Sequence, residues 1–113
     1  MGNAVQLSVI ILAGIFVGIA DALIKKSALT GNFWNAFKNP LMLIILLLYI
    51  AQIILLVYIF KHQWNLGIVG NLEVVFYSLT VILSGLLFFG ETISLTQGVG
   101  ISLALIGVIL MNF

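Results

Sequence analysis

The apolar positions of this chain gather into four long runs, residues 5–24, 40–60, 67–89 and 95–113, separated by short polar breaks. Each run is close to the roughly 20 residues that a helix needs to cross a bilayer. Strands of a membrane β-barrel would alternate apolar and polar positions. Leu41 to Leu48 holds no polar residue at all. The pattern therefore predicts an all-α, polytopic membrane protein with four transmembrane helices in a single domain spanning residues 1–113, without internal duplication.

Against this apolar background the third run carries an acid. Glu73 lies roughly 9 Å past Gly67 along the axis, at 1.5 Å per residue. A carboxylate near the centre of a spanning helix costs on the order of 2.5 kcal/mol or more, so it is expected to face protein or water. Gly70, Glu73, Tyr77, Thr80 and Ser84 recur at three- and four-residue steps and so share one helical face. That polar stripe reads as the lining of a pocket.

The first run holds Gly14, Gly18, Asp21 and Lys25 on one stripe. Gly14 and Gly18 form a GxxxG pattern, which permits close approach to another helix. Asp21 precedes Lys25 by four residues, the favourable order for an intrahelical ion pair. A substrate or proton role for Asp21 is the alternative. In the second run Tyr49, Gln52 and Tyr58 are the only polar side chains before Lys61. Gln52, near the middle, is expected to bond another helix or to contact the pocket. In the last run Gly100, Ala104 and Gly107 make a smooth stripe suited to a dimer or intramolecular seam.

The breaks carry their own signals. Lys25, Lys26 and Lys38 flank Phe33, Trp34 and Phe37 in the connection 25–39, as interfacial anchors do. Part of that connection reads as a short surface helix. Asn39 before Pro40 reads as a cap with proline at the first helical position. His62 sits in a short polar turn and reads as a solvated side chain. Gly90 suits a helix C-cap, and Ser94–Leu95–Thr96–Gln97 fits a capping box. Glu91, in the turn between them, is expected to be solvated or capping.

Composition narrows the class. The chain is 64% hydrophobic and 6% charged, more apolar surface than a soluble domain of this size can hide. With no cysteine there is no disulfide framework or thiolate metal site. A net charge of +1 gives no footprint for nucleic acid. The absence of a metal-ligand cluster and of a paired nucleophile and base argues against an enzyme, and no cofactor is called for. The amino terminus lacks lysine and arginine and its apolar run exceeds a signal core, so residues 5–24 read as a retained span. Three of the four lysines fall on the side of the 25–39 connection and one on the other. The positive-inside rule then favours both termini outside, by a bias thin enough for insertion both ways.

Four helices in this length, Leu23–Ile24–Lys25–Lys26–Ser27 closing the first, and Phe88–Phe89–Gly90–Glu91–Thr92–Ile93–Ser94–Leu95 joining the last two make the chain resemble the drug/metabolite transporter superfamily. Its size is similar to the small multidrug resistance branch. The Gly90–Glu91 turn is more similar to the EamA-type branch and to small subunits implicated in lipid-linked aminoarabinose flipping. The resemblance implies that Gly67–Ile68 begins the third helix and that Gly100 and Gly107 pack a dimer. It also implies a prokaryotic plasma-membrane location. Glu73 falls where that family places a substrate-facing aromatic residue. The family's proton-coupling glutamate would align near Val17, where no acid stands; Asp21 follows one turn later.

A transporter needs two repeats rocking around a shared site, and this chain has room for one. The expectation is a homodimer, antiparallel in the manner of inverted repeats, that moves a small molecule, cationic or lipid-linked, or flips it across the bilayer. Glu73 would bind a cation or proton in the central cavity, with Tyr77, Asn71, Gln52, Thr80 and Asp21 around it. The alternative is a non-transporting membrane module or accessory subunit of a larger transporter, in which Glu73 pairs with a partner's polar group.

Overall fold

The computed structural model describes residues 2–29 and 31–111. Among these, every regular element is helical. The elements are α1 (Gly2–Ala28), α2 (Phe33–Lys38), α3 (Leu41–Lys61), α4 (Leu66–Phe88) and α5 (Leu95–Met111). Asn112 and Phe113, the expected end of the last helix, lie outside the described residues. Three helices, α1, α3 and α4, are long and apolar enough to cross a membrane. The chain is on this basis an integral membrane protein. The 17 described residues of α5 fall short of the usual spanning length.

The boundaries have local causes. α1 runs one turn past the expected Ile24, because lysine is a good helix former and the Leu29 amide still donates to the Lys25 carbonyl at 3.1 Å. Lys25 and Lys26 therefore belong to α1 rather than to the connection that follows. That connection contains α2, started by Asn32, whose side chain accepts from the Asn35 amide at 2.9 Å. Asn39 caps α3 by accepting from the Leu41 amide at 3.0 Å. Gly90, at φ +65°, reverses the chain so that the Glu91 amide donates back to the Gly85 carbonyl at 3.0 Å. Ser94 and Gln97 close the expected capping box, with bonds of 2.9 and 3.1 Å.

α1 lies between α3 and α4 and packs against both; α3 and α4 barely touch each other, and α5 leans on α4. The result is a shallow layer of helices, 47 × 36 × 19 Å. Its core gathers at one end, where Ile10, Ile59, Val69 and Leu72 are buried and Trp64 and Val108 pack against them. Trp64 Nε1 donates to Gln6 Oε1 at 2.5 Å and ties the α3–α4 turn to α1. At the opposite end the buried Ser27 hydroxyl donates to the Ala36 carbonyl at 2.7 Å and fixes α2 across the end of α1. No residue of α5 is buried.

Lipid tails are as apolar as leucine, so helix contact in a membrane depends on close packing and hydrogen bonds. The α1–α4 seam shows both. A Cβ added at Gly14 would stand 2.7 Å from the Glu73 carbonyl oxygen, and one at Gly18 would stand 2.6 Å from Thr80 Cβ. The GxxxG pair therefore serves a contact within the chain, and it brings the polar face of α4 up against α1.

Candidate functional site

The seam sets the depth of two acids. Glu73 stands level with Gly14, and Asp21 is seven residues further along α1, about 10 Å at 1.5 Å per residue. Both open on one groove of about 340 Å³, lined by Val17 and Asp21 of α1 and by Gly70, Glu73, Val74 and Tyr77 of α4.

Each acid is held from a neighbouring helix. Tyr49 of α3 donates its hydroxyl to Asp21 Oδ1, and Tyr77 of α4 donates to Asp21 Oδ2 at 2.5 Å. One turn away along α3, Gln52 Nε2 donates to Glu73 Oε1 at 2.9 Å. Tyr49 and Gln52 are three residues apart on α3, and Glu73 and Tyr77 four apart on α4, so each pair shares a helical face. α3 and α4 are thus joined across α1 by two polar bridges. A carboxylate offers about four acceptor positions. Asp21 uses two of them, and the rest are available to a cation, a proton or a hydrogen-bond donor entering the groove.

The expected Asp21–Lys25 pair is not formed, because the Lys25 ammonium is drawn to a different carboxylate. Lys25 instead pairs with Glu91 across 66 positions of sequence, with its ammonium 4.8 Å from the centre of the Phe89 ring. Glu91 is consequently an ion-pair partner of α1, and its carboxylate lies against Gly85.

Tyr77, Gln52, Glu73 and Asp21 are brought together as one site. Asn71 and Thr80 are not part of it. Asn71 is exposed and donates to the Gly67 carbonyl of its own helix at 2.7 Å. Thr80 donates to the Phe76 carbonyl at 2.8 Å and fills the space over Gly18. Gly100 and Ala104 line a separate open groove of about 470 Å³ between α4 and α5. A Cβ at Gly100 or Gly107 would meet nothing within 4 Å, so this stripe is not an intramolecular seam.

Tyr49 is the site residue that sequence reasoning left out. Its three-residue spacing from Gln52 was the available signal, and it needed the α1–α3 register to be read. Among the described residues no group of three or more His, Cys, Asp or Glu side chains is placed to hold a metal ion. No family model matches the chain, and no curated protein or solved structure matches it.

Proposed function

We propose that this chain is one protomer of a homodimeric small-molecule transporter or flippase, with α5 as a fourth span. The observation that carries the reading is the pair of carboxylates, Asp21 and Glu73, facing one open groove on a helix layer 19 Å thick. In a bilayer an uncovered groove would turn two acids toward hydrocarbon, each at a cost of roughly 2.5–3.5 kcal/mol. A second copy laid over the groove encloses them in a cavity instead. The enclosed cavity is lined by α1 and α4 of both copies and carries acceptor oxygens for a cationic or hydroxylated substrate.

The drug/metabolite transporter resemblance supports the same assembly, with the acids in a different arrangement. Asp21 takes the leading role, since both of its neighbours hold it in place. Glu73 supplies a second acceptor about two turns away. The reading as a non-transporting assembly module asked for a partner's polar group on Glu73. Gln52 already donates to it within the protomer, which favours the transporter.

The natural absence of cysteine makes a direct test available. Single cysteines at Val17 and Val74, on the groove, are expected to crosslink two copies in proteoliposomes, while one at Leu47, 65% exposed on α3, is not. In the same vesicles, uptake of the lipophilic cation tetraphenylphosphonium is expected to fall for Asp21→Asn and for Glu73→Gln. Unchanged uptake for both variants together with no groove crosslink would reject the proposal.

A further inference from the structure

A second cleft, of about 390 Å³, lies where the C-terminal ends of α1 and α4 meet. Ile19 and Leu23 of α1, Phe88 of α4 and the capping residue Phe89 make its walls, Lys26 stands at it, and Ser84 contributes its single hydroxyl. At 3.6 residues per turn, Lys26, Leu23 and Ile19 lie on the side of α1 away from Val17 and Asp21. The cleft is therefore independent of the acid groove.

Charge singles out its occupant. Among the described residues each of the three acids is engaged elsewhere, Asp21 by the two tyrosines, Glu73 by Gln52 and Glu91 by Lys25. Among the described residues no acid neutralises Lys26, which is set beside an apolar cleft. Depth points the same way. Ser27, next in the chain, holds α2 through Ala36, and α2 presents Phe33, Trp34 and Phe37 in mutual ring contact at 5.1–6.3 Å. These rings are 57–69% exposed. Aromatic belts of this kind sit at the headgroup level, so Lys26 stands at phosphate depth. Ile19 lies seven residues deeper, about 10 Å into the acyl region.

We propose that this cleft is a binding site for one anionic phospholipid per protomer. Lys26 pairs with its phosphate, Ser84 donates to a glycerol-ester carbonyl, and one acyl chain lies over Leu23 and Ile19. The site requires neither transport nor the acid groove.

The test is native mass spectrometry of the full chain in neutral detergent, titrated with dioleoyl phosphatidylglycerol and, separately, with dioleoyl phosphatidylcholine. Retention of one phosphatidylglycerol per protomer is expected, in preference to phosphatidylcholine, and inorganic phosphate does not displace it. Lys26→Gln is expected to weaken binding about fivefold, as loss of one near-surface cation does. Lys26→Arg retains binding, and Lys38→Gln, on α2, leaves it unchanged. Helical circular dichroism confirms that each variant is folded. Should Lys26→Gln prove misfolded, Ser84→Leu, which fills the cleft and leaves the charge in place, is expected to expel the lipid. Equal binding of the two lipids overturns the proposal, as does equal weakening by Lys38→Gln. So does a disulfide between copies bearing Leu23→Cys, because a second chain would then occupy the cleft.

Discussion

Replacing Gly14 by alanine tests the seam on which the site depends. The added methyl would stand 2.7 Å from the Glu73 carbonyl oxygen and 3.2 Å from both Phe76 Cβ and the Tyr77 amide nitrogen. The nearest obstacle is main chain, which cannot rotate aside. Moving it from 2.7 Å to the 3.4 Å at which ordinary contact begins parts α1 and α4 by about 0.7 Å. Overpacking of this kind typically costs about 1–3 kcal/mol. Alanine also favours helix over glycine by up to about 1 kcal/mol, so the comparison needs a glycine with free space. Gly98 serves, since nothing lies within 4 Å of a Cβ there. Reversible unfolding in mixed micelles, followed by helical circular dichroism, is expected to place Gly14→Ala below Gly98→Ala by about 1–3 kcal/mol. Equal stability of the two variants would refute the close α1–α4 approach, and with it the positions assigned to Tyr77 and Glu73.

Tyr49→Phe removes one of the two donors to Asp21; a bond to a charged group contributes about 1.5–3 kcal/mol, and thermal denaturation in detergent should show a loss of that order. Glu91→Gln breaks the Lys25 pair, whose side chains are 44% and 49% exposed, so the cost should stay under about 1 kcal/mol and vanish in about 1 M salt. Ser94→Ala removes the cap of α5, at about 1 kcal/mol, and hydrogen exchange should quicken at the Gln97 and Gly98 amides while the α1 amides stay protected.

The helices were legible because each is a long apolar run closed by residues with local work to do. Asn39, Gly90 and the Ser94–Gln97 pair all act within a few positions of themselves, and sequence carries that information directly. Neighbour relations are another matter. Four apolar helices offer nearly interchangeable surfaces, and no periodicity says that α1 lies between α3 and α4. For that reason Asp21 was assigned to Lys25, four residues away, when its partners stand 28 and 56 positions off. The polar stripe of α4 was legible as a stripe, but its members divide. Glu73 and Tyr77 face the groove, Thr80 fills the glycine seam and Ser84 reaches the other cleft. Asn71, one position from the stripe, turns outward, as its 100° offset from Gly70 requires.

The absence of any buried residue in α5 bears on how the chain is made. A chain leaves the ribosome amino terminus first. Once Thr80 has entered the bilayer, α1, α3 and α4 hold the groups that hydrogen-bond Asp21 and that seat Gly14 and Gly18. The polar contacts around Asp21 are then complete without the last helix. A chain truncated after Phe89 and released into the membrane should already protect Asp21, since both of its tyrosine partners precede that point.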